Sequence, residues 1–141
     1  MSQENVDLVR RWLSEFADPA SLQDVAAGGT DLAPYFQPDL EVVNFSEGPL
    51  TKPYRGHAGM RQWVSESFAE VDDPWVELDE VLASGQSHVV ITVRFHGTMG
   101  FSGIPVDAPL AVLYRFRDGK IDYVQGFTDS AEALEAAGLS E

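Results

Sequence analysis

Four strand-like segments follow one another over residues 75–128 with no helix between them, and this succession constrains the fold more than any other feature. They are Trp75–Ala83, Ser87–His96, Val106–Arg117 and Lys120–Thr128. Ser84-Gly85-Gln86 and Asp118-Gly119 are short turns fit for hairpins, the Asp-Gly pair being the stronger signal. In Ser87–His96 the alternation is explicit. Val89, Ile91, Val93 and Phe95 share one side; His88, Thr92, Arg94 and His96 share the other, with Val90 among them. One face of such a sheet needs an apolar cover.

The rest of the chain supplies helices for that cover. Residues 5–17 place Val6, Val9, Leu13 and Phe16 at helical spacing, with Leu8 and Trp12 on the same flank, until Asp18-Pro19 stops the run. A weaker helical stretch, Ser21–Ala27, ends in Gly28-Gly29, and a short turn follows at Asp31–Phe36. From Gly56 a second strong helix carries Met60, Val64, Phe68 and Val71 on one stripe, with Trp63 beside it, and ends at Asp72-Asp73-Pro74. Asp129-Ser130-Ala131-Glu132 reads as a capped helix start and Gly138 as that helix's end. Leu40–Phe45 is a further strand with two interleaved sets, Leu40, Val42, Asn44 and Glu41, Val43, Phe45. Ser46–Tyr54 is a loop broken by Gly48-Pro49 and Pro53. Helices first and hairpin strands after them predict an α+β fold, an antiparallel sheet with helices on one face. With no internal repeat, low-complexity segment or linker, residues 1–141 are expected to form a single domain.

Composition narrows the partners. Hydrophobic residues make up 44% of the chain, which excludes disorder, and no apolar run approaches the ~20 residues of a membrane span. The start, MSQENVDLVRR, lacks an apolar signal core, so a cytoplasmic protein is expected. The absence of cysteine removes disulfides, thiolate nucleophiles and sulfur-type zinc sites together. A net charge of −14 disfavours nucleic acid and anionic membrane partners. It reads as a solvated acidic surface, the alternative being a basic protein partner.

Four segments, taken in order, carry a resemblance. Glu4-Asn5-Val6-x-Leu8-Val9-Arg10-Arg11, Tyr54-Arg55-Gly56-His57-x-Gly59-Met60-Arg61, Arg117-Asp118-Gly119-Lys120-Ile121 and Phe127-Thr128-Asp129-x-Ala131-Glu132-Ala133-Leu134 resemble SnoaL-like proteins of the nuclear transport factor 2-like superfamily. The resemblance covers nearly the whole chain, with residues 19–31 longer than usual. It implies a cone-shaped barrel: a strongly bent antiparallel sheet with helices on one face enclosing a pocket. It also implies homodimers joined through the sheet's outer face, and relatives that include polyketide cyclases, ketosteroid isomerases and epoxide hydrolases. Function does not follow from such a fold and is argued from the site.

Set against those relatives, the catalytic positions carry the wrong residues. The isomerase base position falls on Asn44, whose amide takes no proton from carbon at neutral pH. The isomerase carboxylic donor falls on Val112 and its helical tyrosine on Trp12; the cyclase aspartate falls on Gly126. Arg94 matches the middle of the hydrolases' Asp-Arg-Asp set, but His96 stands where an aspartate is needed. No catalytic residue is therefore assigned. Asp129 fits a helix cap, and Asp39, Glu41 and Asp107 fit exposed strand or turn acids. His88 and His96, eight residues apart on one strand, lie about 26 Å apart at ~3.3 Å per residue, too far for one metal. His57 opens a helix and suits a contact with backbone or with solvent. No phosphate-binding glycine loop precedes a helix, and neither metal nor cofactor is expected.

The expected pocket lining is Trp12, Phe16, Val42, Asn44, Trp63, Val112, Val124 and Gly126, joined by Tyr54 and Phe68. It is large, aromatic and nearly free of charge, which suits a small apolar or alicyclic molecule. The run Gly97–Pro105 carries Met99, Phe101 and Ile104 on a long hairpin tip, either packed at the rim or acting as an apolar gate. The leading expectation is a ligand-binding SnoaL-like domain. The alternatives are a cyclase- or isomerase-type enzyme using Asp129 or His96 as an unplaced base, and a dimeric interaction domain with a vestigial pocket.

Overall fold

The computed structural model describes residues 2–43, 53–85 and 87–138. Helix α1 (Ser2–Ser14) gives way to a tighter turn in which Glu15 and Phe16 bond back to the carbonyls of Trp12 and Leu13, both at 3.0 Å. Helix α2 (Pro19–Ala27) starts two residues before the expected Ser21. Asp18 caps it, its carboxylate accepting from Ser21 N at 2.9 Å, and Pro19 sits in the first turn, where no N–H is needed. Gly28, at φ +96°, closes it. Arg61 then donates to the carbonyls of Val25 at 2.8 Å and Thr30 at 2.5 Å, satisfying groups that the helix end leaves open.

Six strands make one curved, unclosed sheet: β1 (Phe36–Val43), β2 (Tyr54–Arg55), β3 (Val71–Ser84), β4 (His88–Met99), β5 (Pro105–Arg117) and β6 (Lys120–Phe127). Their order is β2-β1-β6-β5-β4-β3. Register shifts in the β1–β6, β3–β4 and β5–β6 pairings provide the bends that wrap a sheet around its core. The hairpins are antiparallel as expected, but β1 pairs with β6 in parallel, Val42 opposite Val124. These two strands lie far apart in the chain, so no hairpin turn dictates their direction.

Helix α3 (Gly56–Ser67) stops before the expected acidic stop signal. Its stripe of Met60, Val64 and Phe68 is buried, but Val71 belongs to β3, opposite Met99. Pro74 lies inside β3 rather than ending a helix. That is tolerated because β3 is the outermost strand, with one edge that needs no ladder bond. Across from this irregular stretch Gly97 has φ +144°, and a Cβ there would meet Val71 Cγ1 at 2.5 Å. Only glycine permits so close an approach.

The two sheet faces follow the alternation. Val89, Ile91 and Val93 of β4, Val112, Tyr114 and Phe116 of β5, and Ile121 and Val124 of β6 face α1 and α3 in the main core. Val90, Ala111, Leu113 and Phe127 form a second cluster on the other side, closed by Ala133 of the last helix, α4 (Ser130–Ala136). The helices are thus divided: α4 packs on the part of the outer face around Val90, Ala111, Leu113 and Phe127. Asp129 caps it, accepting from Ala131 N at 2.8 Å.

Candidate functional site

Between α1, α3 and the inner faces of β3–β5 lies a cavity of about 50 Å³. Trp12 and Phe16 close it from the α1 side, Trp63, Val64 and Phe68 from α3, and Val93, Phe95, Val112 and Tyr114 from the sheet; Leu13, Val76 and Ser67 complete the wall. Among these there is no carboxylate, imidazole, ammonium or guanidinium. The hollow is smaller than its aromatic lining suggested, because the rings fill one another's space. Trp12 meets Phe16 and Phe36 edge-on, each with ring centroids 4.7 Å apart, and Phe68 lies 4.9 Å from Phe95. An apolar cavity of about 150 Å³ is the scale that holds benzene, so a ring of that size requires some of these side chains to move.

One polar pair faces this space. The Trp12 indole and the Tyr114 hydroxyl both line it, and Tyr114 is only 3% exposed. Burial pushes the Tyr114 phenol above its ordinary pKa, and the neighbouring Trp12 N–H, a donor, pulls the other way. The phenol therefore stays protonated at any physiological pH and is an O–H donor.

The expected site residues are distributed as follows. Trp12, Phe16, Trp63, Phe68 and Val112 line the cavity. Val42 and Val124, fully buried and paired with each other, belong to the core beside it, and Gly126 lies buried opposite Val112. Tyr54 faces an exterior groove with Arg55 and Gln62; its hydroxyl donates to Glu66 at 2.5 Å, which raises the phenol's pKa and lowers the carboxyl's. Asn44 lies outside the described residues. Met99 ends β4, and Phe101, 78% exposed at the hairpin tip, is not part of the cavity wall. Tyr114 was missed, although it follows Val112 by two residues on the same strand and therefore shares its face.

The ionisable candidates sit elsewhere. His96 lies 3.0 Å from Glu77 and stacks on Trp75 at 4.1 Å; Arg94 pairs with Asp107 at 3.0 Å. Both are on the outer side of β4. His57 Nε2 is 3.2 Å from the Phe36 carbonyl, a backbone contact. Asp122 is the one buried acid among the described residues, held at 3.0 Å by Arg115 and 3.5 Å by Arg117 and absent from the cavity wall. No group of three His, Asp or Glu side chains among the described residues converges on a point where a metal could sit.

A bent sheet closed by helices over an apolar hollow defines the cone-shaped α+β class to which the nuclear transport factor 2-like proteins belong. Residues 9–124 match the SnoaL-like domain, and the chain belongs to that family. No curated protein matches it. Among solved structures it is similar to a nuclear transport factor 2-like protein of unknown function from Burkholderia pseudomallei K96243. That pair is 19% identical over 94% of this chain and 95% of the other, with a TM-score of 0.68. It is also similar to a hypothetical protein with a ketosteroid isomerase-like fold from Catenulispora acidiphila DSM 44928, in complex with trimethylamine. Here identity is 19%, coverage 94% and 92%, and the TM-score 0.63. A nuclear transport factor 2-like protein from Anabaena variabilis ATCC 29413 is 22% identical over 89% and 90%, with a TM-score of 0.61. At these identities the likeness shows the fold alone.

Proposed function

We propose that this SnoaL-like domain binds a small, largely apolar molecule in the cavity beneath Trp12. The observation that carries the reading is the character of the wall: among the described residues it is aromatic and aliphatic, with the hydroxyls of Ser67 and of Tyr114, whose phenol burial keeps protonated, as its polar groups. Such a wall rewards apolar burial, and its described residues offer no base for proton abstraction from carbon. A cavity of about 50 Å³ favours a guest of a few heavy atoms, or a small alicycle that displaces Phe68 or Phe95. The Catenulispora protein is in complex with trimethylamine, a molecule of a few heavy atoms. The enzyme alternative is less favoured, since Asp129 caps α4 and His96 lies on the outer face.

Methyl-resolved NMR tests the reading. Titration with methylenecyclobutane should give saturable shifts in Leu13, Val64, Val76, Val93 and Val112 and none in the outer-face methyls of Val90 and Leu113. Shifts that never saturate, or that spread evenly over both faces, would reject it. Pairing of two copies through the outer face is part of the same proposal and rests on the resemblance. Size-exclusion chromatography with light scattering at micromolar concentration decides it, a monomer mass refuting that part.

A further inference from the structure

The residues that wall the cavity are buried, apart from Trp63, Ser67 and Phe95, which are half-buried. Trp63 and Ser67 are four residues apart and so stand one above the other on a single edge of α3. Phe95 reaches towards that edge from β4, its ring 4.9 Å from that of Phe68, the residue after Ser67. Among the described residues these three mark where the hollow meets solvent, a slot between α3 and β4. Trp63 and Ser67 form one lip of the slot. Phe95 is the side chain that crosses to it from the other. The remaining rings of the wall, Trp12, Phe16, Phe68 and Tyr114, are at most 9% exposed, so displacing any of them disturbs the packed core.

Resting on the binding reading above, we infer that Phe95 admits the guest and sets its size. Its partners across the two ladders are Val76 and Ala108, and Ala108 presents only a methyl group. On a strand, χ1 values near 180° and −60° are both common, so a change of rotamer carries the ring off α3 and over Ala108. That movement opens the slot and adds the ring's own volume to a hollow of about 50 Å³. The space gained is the space of one carbocyclic ring, so the guest is a compact apolar molecule with a single ring or less. Phe101, exposed at the hairpin tip and absent from the wall, takes no part.

Exchange NMR on the methyls of Val64 and Val93 gives the association rate of methylenecyclobutane and separates this inference from the reading beneath it. Phe95→Ala should raise that rate about tenfold, because binding no longer waits for a side chain to move. Val112→Ala enlarges the same hollow from its buried wall and should leave the rate within about twofold of the wild type. Equal rates in all three proteins, or an equal rise in both variants, overturn the role of Phe95 and leave cavity binding standing. No saturable binding of the probe to the wild-type protein overturns both. Toluene reads the size limit: its affinity should rise about tenfold in Phe95→Ala, which has no closed state to open, and an unchanged affinity refutes that limit. The wild-type protein with ring-labelled phenylalanine covers the case in which Phe95→Ala fails to fold. Saturating methylenecyclobutane should move the Phe95 ring signals further than those of Phe16 or Phe68; any other order overturns the inference.

Discussion

The two sides of β4 present opposite chemistry from one strand. Inward, Val89, Ile91 and Val93 are almost wholly withdrawn from water and meet only hydrocarbon and aromatic rings. Outward, Arg94 and His96 hold acidic partners, and His88 neighbours Arg115 across the ladder. Strand alternation therefore separates the groups able to move protons from the hollow able to hold a guest. The difference teaches that an ionisable residue near the cavity in sequence is, one position along the strand, on the far side of the sheet from it.

The sharpest way to break this comparison is to put a charge on the inner face. Ile91→Asp leaves a carboxylate with no partner in the main core and should cost more than about 4 kcal/mol, whereas Arg94→Ala on the outer face should cost under about 1 kcal/mol. Urea unfolding of the two variants measures the gap; similar midpoints would mean that the inner face is wet. A smaller effect is expected at Asp122, where the outer face buries an acid under Arg115 and Arg117. Arg115→Met removes the nearer guanidinium and should destabilise by about 1–3 kcal/mol, read from the same curves. Full stability in that variant would show that Arg117 alone holds the carboxylate.

The smallest effect is a pH dependence. Partial burial, and then the Arg115 charge, hold the His88 ring below its ordinary pKa of 6.5, against an opposing pull from Asp122. The unfolded chain therefore takes up this proton more readily than the folded one. His88 then lowers stability as pH falls through about 6.5, and the loss levels off below the folded ring's own pKa. In thermal melts between pH 7 and 5, His88→Gln should lose less of its melting temperature than the wild type. Parallel curves would show that the ring titrates alike in both states.

Local pattern made much of the fold legible. The alternation of Ser87–His96 separated the two faces of β4, and Asp118-Gly119, at φ +53° and +80°, forms the tight turn that its dipeptide predicts. What was lost depended on neighbours distant in the chain. Val71 fits a helical stripe, and only its pairing with Met99 places it in a strand; Pro74 reads as a stop until β3 is known to be an edge. In the cavity, the alignment of Trp12 and Val112 pointed to the right walls, but Tyr114 was passed over, since nothing adjacent to it announces a tryptophan from the opening helix. The volume was not legible either. It is the space left after rings from five elements have packed, and no window of sequence holds that sum.

The parallel seam between β1 and β6 has a consequence for how the molecule comes into being. During synthesis β1 is the first of the six strands to emerge, while the strand that joins it to the rest of the sheet is the last of the six. Until Lys120–Phe127 has left the ribosome, the β1–β2 ribbon and the β3–β5 meander are separate pieces, each with an open edge. Closure across so long a stretch of chain is slow, and the interval before it is when a nascent copy is most vulnerable to sticking to another.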